Sequence, residues 1–484
     1  TMAHLGMLKM MEINPISRFF EELSSTIGFP IVDLRFYVSI LICYPLGLFS
    51  RRYVLHSAPS TQHLFYAAAG LSLAYFNFGL DCLHYIVTIV ANFLLLQLLG
   101  GTRTSVVASF TYNMGYLLVA YFLKKDEFHM LAWDTPQCIM CLKMIGMTLD
   151  VYDGHKPDKQ TLNKDQKENY LPRLPSLLEV AGFAFFFAAF MGGPQFSMRQ
   201  YLYLANQQLL PKGEMENPSN LRPAFKRFMQ GLIYLGLTVF CLPIYSQTYL
   251  KSDTFMHSSF LSQVLAILLW GIFDRSKYIT SWVMAEGSCI LTGLGYNGID
   301  KDGESRWDHC QNVNVLNYET STTFRELIAS YNVKTNHWAR RHIYQRLRFL
   351  GSRPVSQAAT LLFLAMWHGP YTGYLHAFIF EFFELLSEET LMEFWRMLGF
   401  KPLTSYRVGY MLVFPLLRVL MLLGFAYPFI GFQLLLFADY NPIYAAVHYF
   451  GHIIFVILPL IYLLLVKPFY LLIMSKKSQT AKSE

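Results

Sequence analysis

The sequence predicts an all-α membrane protein that crosses the bilayer many times. Of its 484 residues, 54% are hydrophobic and only 15% are charged, and the mean hydropathy is +0.32. In an average soluble globular protein roughly a quarter of the residues are charged, so this chain lacks the polar residues for a solvated surface. The composition therefore excludes a disordered chain, a coiled coil and a cytosolic enzyme.

The apolar residues form separate runs, several of them near the length of about 20 residues that a helix needs to cross a bilayer. Glycine and proline shorten or break some runs, which predicts tilted, re-entrant or buried helices. We expect one integral-membrane domain over residues 1–484, with about eleven or twelve helices. The expected segments are 36–50, 64–80, 83–100, 105–123, 176–198, 228–245, 258–273, 278–297, 355–380, 408–438 and 443–466, with a weaker one near 132–149.

Three polar connections, 150–175, 199–227 and 299–353, separate these segments, and a short basic tail begins at about 467. Basic loops favour the cytoplasmic side of a membrane, so we place the last two connections and the tail there. The net charge of +7 is modest, and no Lys/Arg block resembles a nucleic-acid-binding arm. The bilayer and phosphorylated substrates are the expected partners, and the sequence does not indicate an oligomeric state.

Metal or redox chemistry is not expected from the cysteines and paired histidines. Cys138 and Cys141 are the only close pair among seven cysteines, and no second pair or histidine ligand lies near them. His448 and His452 have a spacing that could hold zinc on one helix face, but no third ligand is evident. Packing or interfacial roles are the better interpretation, so we predict no metal site.

Ionisable groups inside membrane segments are expensive and mark candidate functional sites. His368 is the strongest candidate, because it ends the apolar run 361–368 and precedes Gly369-Pro370. A neutral histidine in an apolar chamber can accept a proton from a hydroxyl. A hydrogen-bonded core histidine would give the same pattern. The other candidates, for which structural roles compete, are Asp81, His84, Glu179, Glu286, His376, Glu381, His448 and His452.

The segment 331–350 would be amphipathic as a helix. Its apolar face would include Ala339 and Ile343, and its opposite face would carry Lys334, Arg341 and Arg348. Such a helix suits a membrane surface, with the basic stripe toward water or phosphates. Asn332 would fall on the apolar face, which is unusual for an amide.

The ordered motifs Tyr331-Asn332-x-x-Thr335-x-x-Trp338 and, 36 residues after the asparagine, Trp367-His368-Gly369 resemble the membrane-bound O-acyltransferase (MBOAT) family. Residues 175–183, 193–198 and 286–298 resemble its lysophospholipid acyltransferase branch. The resemblance covers most of the chain.

The resemblance implies a bundle of about eleven transmembrane helices around an internal reaction chamber. It also implies that His368 is the catalytic histidine and Asn332 its paired asparagine. The implied reaction moves a fatty acyl group from acyl-CoA to the sn-2 hydroxyl of a lysophospholipid, with acyl-CoA as co-substrate and no bound cofactor. The side chains that we expect to contact substrates are Trp338, Trp367, Tyr331, Gln195, Glu286, Lys334 and Arg341.

By the same resemblance, lysophosphatidylcholine is the first expected acceptor, followed by the ethanolamine and serine forms. Arachidonoyl-CoA or linoleoyl-CoA is the expected donor, and the endoplasmic reticulum membrane is the expected location. Lys476 and Lys477 lie too far from Glu484 for a usual dilysine retrieval signal. Three alternatives stay open: a family member with a sterol, diacylglycerol or protein acceptor, a transporter, and an inactive scaffold.

Overall fold

The computed structural model describes residues 15–123, 132–399 and 407–473. Within these ranges the regular structure is helical, and the single antiparallel bridge joins Ile299 to Ser305. Five helical stretches among the described residues are long and apolar enough to cross a membrane. These stretches are Ile31–Val54, Pro59–Leu99, Arg103–Leu123, Met411–Leu434 and His452–Ile473. The prediction of an all-α membrane protein is confirmed. Lys476 and Lys477, named above for the retrieval signal, lie outside the described residues.

The described residues group into two compact units. Unit 1 draws on Thr1–Leu232 and Thr280–Asn312, and unit 2 draws on Ile233–Ile279 and Val313–Glu484. The helices that begin in unit 1 are α1 (Pro15–Ile27), α2 (Ile31–Phe49), α3 (Pro59–Phe78), α4 (Leu83–Leu99), α5 (Arg103–Leu123), α6 (Asp134–His155), α7 (Lys164–Asn169), α8 (Leu177–Ala184), α9 (Phe187–Phe190), α10 (Met198–Ala205), α11 (Lys212–Glu216) and α12 (Leu221–Gly236).

The helices that begin in unit 2 are α13 (Gln247–Leu250), α14 (Asp253–Met256), α15 (Phe260–Thr292), α16 (Val315–Thr320), α17 (Phe324–Ser330), α18 (Val333–His342), α19 (Arg353–His368), α20 (Thr372–Met397), α21 (Arg407–Leu434), α22 (Phe437–Ala446) and α23 (Leu458–Ile461). A 3₁₀ turn, Tyr344–Leu350, joins α18 to α19, and π-helical turns precede and follow α23.

Several predicted boundaries are wrong. Residues 258–273 and 278–297 are not two segments, because α15 is one helix of 33 residues in which Asp274 and Arg275 are buried without a break. Residues 355–380 are two helices, since Gly369 takes φ 139° and Pro370 follows it. The predicted helix 331–350 ends at His342.

Unit 1 is held together by an aromatic core and by paired polar groups. Phe183, Phe186 and Tyr201 are buried in this core. The ammonium of Lys143 donates a hydrogen bond of 3.0 Å to the carbonyl of Phe183, close to the last turn of α8. A cation at this end of a helix satisfies carbonyls that have no partner within the helix.

Unit 2 brings α20 and α21 close together. The amide of Gly373, near the start of α20, donates to the carbonyl of Leu435 at 2.9 Å. A Cβ atom at Gly373 would collide with the carbonyl of Gly431. The close approach therefore requires glycine, and it brings rings from both helices to the end of α19.

Candidate active site

The two residues predicted to act together lie on neighbouring helices of unit 2. The ring of Trp338 on α18 stacks on Phe363 of α19, with centroids 5.9 Å apart. Nearer the connecting turn, the hydroxyl of Ser356 donates to the carbonyl of Leu347 at 3.1 Å. The two segments therefore form an antiparallel pair.

Asn332 and His368 fall toward the same open end of this pair. Asn332 lies six residues before Trp338, and His368 lies five residues after Phe363. At 1.5 Å per helical residue these offsets are about 9 and 8 Å. Both positions, 36 residues apart in sequence, therefore lie toward the end of the pair opposite the Tyr344–Leu350 turn.

Asn332 begins α18 with a left-handed backbone, φ 49° and ψ 42°. Asparagine tolerates this conformation better than most residues. Its carbonyl accepts a hydrogen bond from the amide of Asn336, but its side chain does not cap the helix. The sequence predicted Asn332 on the apolar face of the helix. In the structure it precedes the helix instead.

His368 is the last residue of α19 and is enclosed by aromatic rings. The ring centroids of Trp367, Tyr374, Phe378 and Phe432 lie 4.5, 5.3, 5.5 and 5.0 Å from the centroid of the imidazole. The His368 side chain is half-buried among these rings. Among the described residues, no group hydrogen-bonds to its ring nitrogens.

This position suits an imidazole that gains and loses a proton. No protein group in the described ranges hydrogen-bonds to its nitrogens, so they are available to donate or accept a bond. The carbonyl end of α19 carries a partial negative charge that stabilises an imidazolium cation. The surrounding rings limit the access of water to the proton that is transferred.

Three rings on one face of α21 line both parts of this site. Phe425, Phe429 and Phe432 follow the spacing i, i+4, i+7 of one helix face. Phe425 contacts Tyr331 with centroids 5.5 Å apart, and Phe432 contacts His368 at 5.0 Å. The neighbour of Asn332 and the histidine itself thus meet the same apolar wall.

The aromatic residues expected near the pair all lie there. Trp338 is 8% exposed and packs on Phe363, and Trp367 is 4% exposed and packs on His368. Tyr331 stacks on Tyr318 with centroids 5.5 Å apart. Their contacts fit the shaping of a chamber and also ordinary packing, so their contact with substrate stays a prediction.

The basic stripe differs from its prediction. Lys334 and Arg341 are half-buried, and the exposed positions of α18 are His337 and Arg340. Arg348 lies in the 3₁₀ turn beyond the end of α18 and does not continue the stripe. Lys334 and Arg341 still share one face of α18, two turns apart.

Gln195 and Glu286 belong to unit 1, whereas His368 belongs to unit 2. The Gln195 amide donates to the carbonyl of Ile139 at 3.1 Å. The Glu286 carboxylate accepts from the amide of Asn312 at 2.6 Å and lies 3.0 Å from the guanidinium of Arg227. The sequence allowed either a structural or a functional role for Glu286. These contacts favour the structural role.

Sequence reasoning passed over three charged residues, Asp274, Arg275 and Glu384, that are buried in unit 2. Asp274 and Arg275 follow an apolar run directly and no proline or glycine separates them from the next run, which is a signal of a continuous helix. Glu384 lies one turn after Glu381, just beyond the end assigned to the segment 355–380.

His342, also passed over, contacts Trp338 at the end of α18 with ring centroids 5.0 Å apart. Burial, together with Arg341 and Arg346, holds the pKa of His342 well below its ordinary value. This histidine is therefore neutral near pH 7.

His448 and His452 do not share a site: His448 stacks on Phe260, whereas His452 hydrogen-bonds with Tyr427 and His376.

The fold and the site define a class: a multi-pass, all-helical membrane protein with an open histidine inside it. The sequence profile of the membrane-bound O-acyltransferase family matches residues 117–434, which is more than half of the chain. The chain therefore belongs to the membrane-bound O-acyltransferase family, as its motifs indicated.

Curated relatives are similar along nearly the whole chain. Lysophospholipid acyltransferase 5 of Mus musculus is 38% identical over 439 residues, which are 90% of this chain and 89% of that protein. The Homo sapiens protein of the same name is 37% identical over the same shares. The Drosophila melanogaster protein of that name is 32% identical over 444 residues, 90% of this chain and 88% of its own length.

Proposed function

We propose that this protein is a lysophospholipid acyltransferase that moves a fatty acyl group from acyl-CoA to the sn-2 hydroxyl of a lysophospholipid. The observation that carries the proposal is the open imidazole of His368, held among rings at the end of α19 in a chain of this family. The names of the relatives supply the acceptor class.

In the first step, a ring nitrogen of His368 accepts the proton of the acceptor hydroxyl while its oxygen attacks the thioester carbonyl carbon. General-base catalysis of this kind contributes about 10²- to 10⁴-fold in rate. The carbonyl oxygen becomes an oxyanion as the C–O bond of the new ester forms. The side-chain amide of Asn332 donates a hydrogen bond to that oxyanion or orients the hydroxyl.

In the second step, the tetrahedral intermediate collapses and the carbon–sulfur bond breaks. The thiolate of CoA leaves and takes the proton from the His368 imidazolium, which gives CoA-SH and the diacyl phospholipid. The histidine returns to its starting state, so neither a metal nor an acyl-enzyme takes part in this scheme.

The two substrates reach the chamber by different routes. Acyl-CoA carries its phosphates in the cytosol, where Lys334 and Arg341 provide positive charge, and its acyl chain enters the apolar interior. The lysophospholipid already lies in the bilayer and enters between helices. Polyunsaturated donors such as arachidonoyl-CoA and linoleoyl-CoA, and the endoplasmic reticulum as the site of phospholipid remodelling, complete the proposal.

The test is acyl transfer by the purified full-length protein in nanodiscs. Arachidonoyl-CoA is supplied with lysophosphatidylcholine, and the product is identified by mass spectrometry together with the position of the new ester. The His368→Ala protein, purified in parallel, controls for contaminating enzymes. We expect sn-2-acylated phosphatidylcholine from the wild type alone.

An acceptor panel separates this function from its alternatives. Cholesterol, diacylglycerol and a protein hydroxyl are offered in place of the lysophospholipid, each with the same donor. Acylation of one of these, with no lysophospholipid product, would overturn the proposed acceptor class. Product formation that is equal in the wild type and in His368→Ala would overturn the proposed mechanism.

A further inference from the structure

Glu381 lies on the face of α20 that surrounds His368. Tyr374, Phe378 and Glu381 follow the spacing i, i+4, i+7, so their side chains share one face of that helix. The first two rings contact His368, and Glu381 lies about 4.5 Å, one helical turn, beyond Phe378 along the axis.

Like His368, Glu381 is half-buried. It makes no hydrogen bond and no ion pair with the part of the chain that the structure describes. A carboxylate in a low-dielectric cavity is costly without a compensating charge. Its place on the face of α20 that carries Tyr374 and Phe378 is therefore suited to a cationic group that arrives with the substrate.

A second carboxyl, that of Glu384, lies three residues further along α20 and interacts with a cationic side chain. Glu384 is 1% exposed, its Oε1 atom has no hydrogen-bond partner within the described residues, and its charge interacts with those of Glu381 and Arg275. Arg275 is 0% exposed and lies over the ring of Phe425, 4.8 Å from its centroid. Arg275 thus interacts electrostatically with Glu384, whereas no cationic group among the described residues is paired with Glu381.

We infer that Glu381 binds the ammonium group of the acceptor head group and so determines head-group specificity. This inference rests on the proposed function. Choline, ethanolamine and serine head groups all carry a cationic nitrogen, and glycerol, inositol and bare phosphate head groups do not. The carboxylate of Glu381 pairs with that nitrogen, and nearby rings such as Phe378 add cation–π contact.

The spacing of the residues agrees with the dimensions of the acceptor. The head-group nitrogen is about eight covalent bonds from the sn-2 oxygen, a separation on the order of 7–10 Å. From the imidazole, the distance to Phe378 is 5.5 Å between centroids, and Glu381 lies three residues, about 4.5 Å, further along α20. A lysophospholipid with its hydroxyl at His368 can therefore bring its amine to Glu381.

The experiment compares lysophosphatidylcholine with lysophosphatidylglycerol at a fixed donor, using the full-length protein. Glu381→Gln keeps the shape and removes the charge. We expect the KM for lysophosphatidylcholine to rise about tenfold, the size of a lost charge-assisted contact, with kcat and the KM for acyl-CoA unchanged. The preference for the choline acceptor over the glycerol acceptor should fall by the same factor.

Glu389→Gln is the matched control, because Glu389 lies on the same helix, is exposed and pairs with Arg325 at 2.7 Å. It should leave both acceptors unaffected. An unchanged choline-to-glycerol preference in folded Glu381→Gln would overturn the inference. Wild-type acylation of lysophosphatidylcholine would still support the proposed function in that case, so the two failures are distinguishable.

A second measurement needs only the wild type, in case the variant does not fold. Alkylphosphocholine and alkylphosphoglycerol of equal chain length lack the sn-2 hydroxyl and compete with the acceptor without reacting. We expect the choline compound to inhibit about tenfold more strongly. Equal inhibition by the two compounds would overturn the inference.

Discussion

Two sets of polar side chains, one in each unit, differ in whether other protein groups hold them. In unit 1, Lys143 donates to the carbonyl of Phe183, and Glu286 is held by Arg227 and by the amide of Asn312. In unit 2, His368 and Glu381 have no hydrogen-bond partner within the described residues. Since an unmet polar group costs free energy, the groups near His368 are explained by binding or chemistry better than by folding.

The contrast gives a rule that mutations can test. Removal of a group that another side chain holds should cost stability and leave the activity of the folded protein intact. Removal of a group near His368 that has no hydrogen-bond partner within the described residues should cost activity and leave stability intact.

The largest effect is expected for His368→Ala. The kcat for acyl transfer should fall on the order of 10³-fold, because the general base is lost. The thermal midpoint in nanodiscs should stay within about 4 °C of the wild type, since no protein hydrogen bond is broken. His257→Ala, an exposed histidine of unit 2, is the control and should change neither quantity. A large loss of stability with normal kcat would reverse the interpretation of His368.

Substitution of Asn332 should give the next largest effect. A glycine variant distinguishes the contribution of the side chain from that of the backbone conformation. Asn332→Gly keeps the left-handed φ of 49° accessible and removes only the amide, so kcat should fall about 10²-fold without unfolding. Asn332→Ala should add a backbone cost of about 1 kcal/mol to the same kinetic loss. Wild-type kcat in the glycine variant would show that only the backbone conformation matters.

Glu286 tests the opposite side of the contrast. Glu286→Ala leaves the guanidinium of Arg227 without its carboxylate and should lower the free energy of unfolding by about 3 kcal/mol. The kinetic constants of the folded fraction should not change. The double variant Arg227→Leu with Glu286→Leu should recover part of the stability, because no unpaired charge remains. A raised KM in Glu286→Ala would instead support the substrate contact that the sequence allowed.

The fold class and the family could be predicted from the sequence for physical reasons, whereas the catalytic roles of Asn332 and His368 stay predictions. Composition alone requires a bilayer, and the ordered motifs around Asn332 and His368 carry a family pattern that the matched profile and the curated relatives confirm. The aromatic surroundings of His368 could be anticipated only in part. Tyr374 and Phe378 are near in sequence, whereas Phe432 arrives from α21 through the close approach at Gly373.

Helix boundaries and buried charges were less predictable, because hydropathy counts each residue without its partner. The run Asp274-Arg275-Ser276-Lys277 reads as a loop, yet Lys277 pairs with Asp274 at 2.9 Å and Arg275 bonds with Tyr318. These partners, one within α15 and one on α16, offset part of the cost of burial, so one helix continues. For the same reason, hydropathy did not indicate that Glu384 is buried, and it placed the end of the segment 355–380 one residue before Glu381.

The smallest effect is expected from Lys334 and Arg341, which are half-buried on one face of α18. Arg341→Gln and Lys334→Gln should each raise the KM for acyl-CoA about threefold, since a partly solvated charge contributes up to about 1 kcal/mol. The effect should shrink between about 0.1 M and 1 M salt, where the screening length falls from about 10 to 3 Å. Arg348→Gln removes the same charge from an exposed position and should have less effect. If all three variants raise KM equally, general attraction by the basic segment explains binding better than a defined phosphate contact.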